Sequence, residues 1–242
     1  MRATISTVIL CLALVSAAAA APTAQERCQA AKIDAVRKRA FCTKGELRKD
    51  VLGLTPDVAK CDQKFATAIT RADTAAARKG ASCRWLDNAD GTATDLNTGL
   101  QWELKTDDAS VHDKDNAYSW KTAGGGTTPD GTAFTAFLGT LNAGVTGDGV
   151  TTTGCFAGHC DWRLPTVREL GSVLDPGCAV SNPCTTIPGF TQSTFYWSSS
   201  SDSSDPSDLA WFVDFSDGYT DVDAKTHAST YYARAVRGGS GT

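Results

Sequence analysis

The sequence predicts an α+β body preceded by a disulfide-stapled α-helical hairpin, and three observations lead there. Eight of the nine cysteines fall into two sets of four: Cys28, Cys42, Cys61 and Cys83, then Cys155, Cys160, Cys178 and Cys184. Charge divides at the same place. Residues 22–83 carry 13 Lys and Arg against 7 Asp and Glu, a net of +6, whereas residues 84–242 carry 9 against 20, a net of −11. Texture changes there too, from Ala, Lys, Arg and Gln to Gly, Thr, Ser and Asp with short aromatic runs. The formal charge of −4 over 242 residues averages a basic front with an acidic body. At 41% hydrophobic and 21% charged residues, the composition is that of a globular chain.

Residues 1–21 read as a secretory leader. Arg2 supplies the positive end, Ile5 to Val15 the apolar run, and Ser16 to Ala21 several small-residue cleavage sites. Cys11 belongs to this leader, because Leu10 stands where a lipoprotein site needs a small residue. Its removal leaves an even cysteine count in a disulfide-forming compartment. The expected location is therefore exported: periplasmic, cell-surface or extracellular. No later apolar run approaches the ~20 residues of a membrane span. No CxxC pair suggests zinc or thiol redox chemistry.

The front reads as two helices. Residues 25–42 are rich in helix formers. Val58, Cys61, Phe65, Ala68, Ala72 and Ala75 recur at helical spacing along one narrow face. Thr55-Pro56-Asp57 is a start signal and Gly80 a stop. Helices joined by residues 43–54 would be antiparallel. Of the three connectivities open to four cysteines, that geometry selects nested bridges Cys28–Cys83 and Cys42–Cys61. An alanine-rich interface buries little area, so the staples would supply much of the hairpin's stability. Its role is a stalk or spacer, or a dock for an acidic partner through Lys32, Arg37, Lys38, Arg39, Arg48 and Lys49.

In the body, Asp90-Gly91 and Asn97-Thr98-Gly99 mark turns between short strands. Residues 99–104, 194–198, 209–215 and 231–237 read as strands. In the third of these Leu209, Trp211, Val213 and Phe215 share a face. One helix is expected over Thr132–Asn142, with Phe134, Phe137, Leu138 and Leu141 as its stripe. Another opens at the capping box of Thr166 and Glu169, with Leu170, Val173 and Leu174 buried.

Five ordered motifs in this body carry a resemblance. They are Arg84 to Trp102; Asp161-Trp162-Arg163-Leu164-Pro165-Thr166 with Glu169-Leu170; Tyr196-Trp197-Ser198-Ser199; Ala210 to Phe215 with Asp217-Gly218; and Tyr232 to Arg237. Together they resemble the Lcl C-terminal domain family over about residues 84–238. Residues 239–242 are left as a flexible tail, and residues 22–83 lie outside the resemblance. The resemblance implies a C-type-lectin-like fold with an antiparallel sheet and long loops. It further implies a bacterial cell-surface recognition module, since the family's namesake is a collagen-like adhesin associated with glycan binding. Ala235 stands where many relatives carry a cysteine. The bridge to that last strand is then replaced, which suggests the local pairs Cys155–Cys160 and Cys178–Cys184.

Candidate sites are few. A sulfated glycan needs a basic surface of Arg and Lys, whereas the body carries a net −11, so a neutral glycan or an envelope protein suits it better. Asp202, Asp205 and Asp208 lie in a serine-rich loop where this fold tends to hold its ligand, and Tyr219 follows the Asp217-Gly218 turn as an exposed aromatic. These four are the ligand-contact candidates. Asp214, Asp217, Asp221 and Asp223 form a further acidic group. No cofactor is expected. Calcium is the metal that Asp87, Asp90 and Asp95 would suit, but their spacing is not that of an EF-hand and a plain hairpin turn explains them. Trp102, Trp162, Trp197 and Trp211 are expected in the core. Arg163, Arg234 and Arg237 are expected to pair with acids.

Catalysis has little support. His112, His159 and His227 stand apart from any nucleophile, and Tyr196 to Ser199 lacks the glycine-flanked elbow of hydrolases. The expected function is an exported binding or adhesion-type module for a glycan or protein, and not an enzyme. A structural envelope or matrix component assembled through the hairpin is the other reading. The acidic body gives no reason to expect a nucleic-acid partner.

Overall fold

The computed structural model describes residues 21–122, 128–143, 154–178, 181–226 and 231–238. The expected leader, Ala21 apart, lies outside them, as do His227 and residues 239–242.

Helix α1 spans Ala24–Val51 and helix α2 spans Val58–Ala77. Thr23 opens α1 with a capping box: its hydroxyl accepts from Glu26 N at 3.1 Å, and the Glu26 carboxylate accepts from Thr23 N at 2.6 Å. The connection expected over 43–54 is mostly helix. Lys44, Glu46, Leu47, Arg48 and Lys49 are good helix formers, and the Lys49–Glu46 pair at 2.8 Å braces the last turns. The chain turns at Gly53, whose φ of +71° suits glycine. Asp57, two residues beyond the expected Thr55, caps α2 by accepting from Lys60 N at 3.1 Å. The buried face of α2 is Cys61, Ile69, Ala72 and Ala76. Ala75, assigned to that face from its spacing, is exposed, because Ala76 fills the contact with Cys28 and Cys83 instead.

Bridges join Cys28 to Cys83, Cys42 to Cys61, Cys155 to Cys160 and Cys178 to Cys184. Lys32, fully buried, ties the hairpin to the body: its ammonium reaches Asp73 on α2 and Asn97 Oδ1 in the body, each at 2.5 Å. It is thus unavailable to an outside partner. Lys38, Arg39 and Lys49 are likewise engaged within the hairpin, by Asp34, Asp62 and Glu46.

The body is α+β, and its described residues form seven strands: β1 (Trp85–Asp87), β2 (Thr92–Asp95), β3 (Gln101–Glu103), β4 (Phe195–Ser201), β5 (Leu209–Asp214), β6 (Thr220–Ala224) and β7 (Val236–Arg237). They form two antiparallel sheets, β1-β2-β3-β7 and β4-β5-β6. Two apolar clusters lie against them, and successive residues of one strand enter different clusters. Trp197, Ala210, Phe212, Ala233 and Ala235 join one; Tyr196, Val213, Phe215 and Val236 join the other. Strand β5 is therefore buried on both faces, and Leu209 and Trp211 are only half-buried. The expected strand over 231–237 is reduced to Val236–Arg237, because this segment crosses between the sheets. Tyr232 bonds β4 through Phe195 O and Trp197 N, at 2.8 and 2.9 Å, and Val236 then pairs with Trp102 and Arg163.

The helix expected over Thr132–Asn142 begins as a π-helix, Ala133–Leu138, and ends as the short α3, Gly139–Leu141. The wider winding buries Ala133, Phe137, Leu138 and Leu141, and Phe134 packs edge-on to Trp120 at 5.0 Å. Helix α4 (Val167–Ser172) opens with the Thr166–Glu169 capping box. The same glutamate receives the Arg163 fork, with both contacts at 2.7 Å.

Candidate functional site

The four ligand-contact candidates sit at opposite ends of one sheet. Strand β5 leaves the loop of Asp202, Asp205 and Asp208 and runs toward the turn of Tyr219. Lys225 N bonds Asp208 O at the first end, and Asp214 N bonds Tyr219 O at the second. At about 3.3 Å per residue, the six residues of β5 separate the ends by roughly 16 Å. One small ligand does not bridge them.

The first end is organised around two buried cations. Lys225 Nζ donates to Ser201 Oγ at 2.7 Å and Pro206 O at 2.6 Å, and stands 4.1 Å over the Trp120 ring. Lys121 Nζ donates to Asp208 Oδ1 and Ser207 O, both at 3.2 Å. Burial, reinforced by the neighbouring Lys121 charge, lowers the Lys225 pKa. Asp205 accepts from Ser207 Oγ at 2.8 Å and from Asp208 N at 3.2 Å, and the Ser207 bond leads the causes holding its carboxyl below the usual range. Asp202 receives the Ser204 hydroxyl. The carboxylates of this loop are thus spent on its own hydroxyls, amides and lysines.

The second end is braced and open. Gly218 has φ +83°, and a Cβ there would meet Cys178 Sγ at 3.0 Å and Cys184 Sγ at 3.4 Å, so the turn lies against that disulfide. Cys184 N donates to Phe215 O at 2.6 Å, fixing the staple to the end of β5. Tyr219 is 55% exposed. Its hydroxyl donates to Asp221 Oδ2 at 2.6 Å, the leading cause of its raised pKa. Asp217 accepts from Tyr219 N at 2.8 Å. The result is a rigid turn presenting an aromatic face beside carboxylate acceptors.

A third group was not assembled in the sequence reading, which named His112 and Arg234 separately and neither Glu103 nor Lys105. Glu103 is fully buried, with Lys105 Nζ at 3.0 Å, His112 Nδ1 at 2.8 Å and Ala235 N at 3.0 Å. Burial pushes its pKa up, but Lys105, His112, the Ala235 amide and Arg234 together hold it below the usual range. Lys105 is itself lowered by burial and stands 4.3 Å over Phe137. Arg234 donates to Glu103 O, Phe190 O and Thr191 Oγ1, each at 2.7 Å, so its direct partners are carbonyls and a hydroxyl rather than the expected acid. Arg163 and Arg237 do pair with acids, Glu169 and Asp161. The available signal was charge inside apolar segments: Glu103 between Trp102 and Leu104, and Arg234 between two alanines.

The remaining candidates disperse. Asp87 and Asp90 cap the β1–β2 turn through Ala89 N and Thr92 N, and Asp95 is buried under the Arg84 fork at 3.1 and 2.9 Å. Asp107 and Asp115, both exposed, and the buried Asp113 bring their carboxylates together, but Lys114 already bonds Asp107 at 3.0 Å and Asp115 at 2.8 Å. Trp102, Trp162 and Trp197 are in the core and Trp211 is half-buried. His159 is half-buried.

In comparison with known families, the profile of the Lcl C-terminal domain matches residues 91–237. No curated protein and no solved structure matches the chain.

Proposed function

The chain belongs to the Lcl C-terminal domain family, and from that premise we propose that its body is a recognition module for a neutral glycan or an envelope protein, displayed by the stapled hairpin. We read the body as C-type-lectin-like, a reading supported by its two small antiparallel sheets and the long segments between them. The observation that carries the function is the Tyr219 turn. A sugar face stacks on an exposed aromatic ring, and its hydroxyls bond to fixed carboxylates. Here the ring is exposed, its hydroxyl is held by Asp221, and the turn is backed by the Cys178–Cys184 staple. Such pre-organisation lowers the ordering cost of a shallow contact.

Binding rather than turnover is supported by where the ionisable groups lie. Glu103 and Lys105 are buried in a mutually neutralising cluster, and the Asp202–Asp208 loop is closed over its own lysines. Four disulfides suit an oxidising, exported setting. No described helix is long and apolar enough to cross a membrane.

A glycan array followed by titration of any hit tests the reading. The wild-type chain should bind, and Tyr219→Ala should weaken binding at least about tenfold, roughly the 1.4 kcal/mol expected for one stacked ring. Asp205→Asn should leave binding unchanged. Equal binding by the Tyr219 variant would refute the assignment of the site, and no ligand on the array or in pull-downs would refute the function.

A further inference from the structure

The free end of the hairpin carries an unusual concentration of exposed apolar side chains. Phe41 is 82% exposed, Leu47 54%, Val51 86%, Leu52 66% and Leu54 58%. Among the described residues, Gln29 and Lys32 make the hydrogen bonds from hairpin to body, and Val36 comes within 4.0 Å of where a Gly99 Cβ would lie. At 1.5 Å per residue, Val51 stands about 20 Å farther along α1 than Val36. The apolar end beyond Leu47 therefore projects past the body's contacts. A cleft of about 480 Å³ opens along the same helices toward the body, lined in part by Val36, Lys44, Leu47 and Phe65 and by Thr98 and Gly99 of the body.

Charge is arranged to match. At about 100° per residue, Leu47, Val51, Lys44, Arg48, Phe41 and Leu52 fall within one arc of roughly 140°, while Glu46 and Asp50 fall on the other side with Cys42, which is bridged to α2. Glu46 is further occupied by Lys49 and by Asp57 N. Lys44 and Arg48 make no ion pair among the described residues. The arc of α1 from Phe41 to Leu52 thus mixes apolar side chains with cations, and the exposed acids of the tip, Asp50 and Asp57, lie outside it.

We propose that this tip is a peripheral docking site for an anionic lipid bilayer surface. Cations there meet headgroup phosphates, and Phe41, Val51, Leu52 and Leu54 enter the headgroup–acyl boundary without crossing it. A second copy of the chain fits less well in a symmetric contact. It would set Lys44 and Arg48 of one tip against the same cations of its partner, and like charges in juxtaposition oppose such contacts.

Sedimentation with vesicles tests this, using the oxidised protein with residues 1–21 removed so that the apolar leader cannot itself bind lipid. The probes are vesicles of phosphatidylcholine alone, and of phosphatidylcholine with an equal part of phosphatidylglycerol. Each cation near an anionic surface is worth roughly fivefold in partitioning, so the anionic vesicles should be preferred at least about tenfold, and salt should erode the preference. Phe41→Asp with Leu52→Asp, and separately Lys44→Glu with Arg48→Glu, should each reduce partitioning at least about tenfold. Both pairs are exposed, so helicity by circular dichroism should be retained. Tyr219→Ala should partition like wild type, which separates this result from the fate of the glycan reading. Each of these outcomes would overturn the proposal: no preference for anionic vesicles, partitioning indifferent to both tip variants, or a concentration-dependent oligomer that the tip variants dissolve and vesicles fail to compete away. Equal binding to soluble polyglutamate would also overturn it, in favour of an acidic protein.

Discussion

Single side chains in the body matter through what surrounds them. Glu103 is the clearest case, a fully buried carboxylate facing Lys105, His112 and Arg234. Glu103→Gln keeps the shape but leaves buried Lys105 and Arg234 without their counter-charge. Breaking one side of such a cluster costs about 3–5 kcal/mol. A fall of that size in urea-unfolding stability is expected, and a loss under about 1 kcal/mol would show that the cluster is not a coupled unit. Gly131 is constrained by space instead. A Cβ there would lie 2.3 Å from Ser119 O and 2.4 Å from Trp120 C, both backbone atoms unable to swing aside. Gly131→Ala should destabilise by about 1–3 kcal/mol through overpacking at the mouth of the π-helix. A thermal midpoint equal to wild type would contradict the packing described here.

At the level of elements, the hairpin and the body depend on different forces. Helices α1 and α2 meet through alanines and cysteines, with Cys28, Ala72, Ala76 and Cys83 as their buried cluster. So small an apolar contact leaves the Cys28–Cys83 bridge, which closes 55 residues, as a main restraint. Replacing both cysteines by serine should destabilise the hairpin by about 2–4 kcal/mol. The expected signature is an earlier helical transition by circular dichroism while tryptophan fluorescence of the body unfolds near its original midpoint. A single unshifted transition would assign the hairpin's stability elsewhere. The same contrast explains what was readable in sequence. Capping boxes, turn glycines and clustered cysteines act locally, so α4, the β1–β2 turn and the two-part cysteine division were visible. The end of α1 was not, because Lys44 to Lys49 suit helix and charged loop equally until the Glu46–Lys49 and Glu46–Asp57 contacts are known. Nor was the separation of Asp205 from Tyr219, which depends on β5 standing between their loops. The Glu103 cluster joins residues more than a hundred positions apart, and no local pattern encodes that.

The whole molecule couples these parts through acids whose charge the fold prefers, and this gives stability a direction in pH. Glu169 is pushed up by burial, but the Arg163 fork and the Thr166 amide outweigh that and hold its pKa below the ordinary 4.5. Asp161 is held below 3.8, chiefly by its bond to Arg237, and Glu103 is lowered as described. In each case the folded-state pKa lies below the unfolded value. The folded chain then binds fewer protons than the unfolded one wherever these groups titrate. Their contribution is complete above the unfolded values and is lost as pH falls through the lowered folded ones. Thermal midpoints should therefore be nearly level from neutral pH down to about pH 5 and fall steadily below about pH 4.5. Arg163 and Glu169 join the start of α4 to the last strand, since Arg163 also bonds Gly238 O and pairs with Val236. Loss of that fork loosens the seam on which both sheets close. Glu169→Gln should accordingly be less stable than wild type at neutral pH and show a shallower fall on acidification. If wild type holds its midpoint to pH 3, or the variant keeps the full acid slope, these carboxylates do not set the acid limit of the fold.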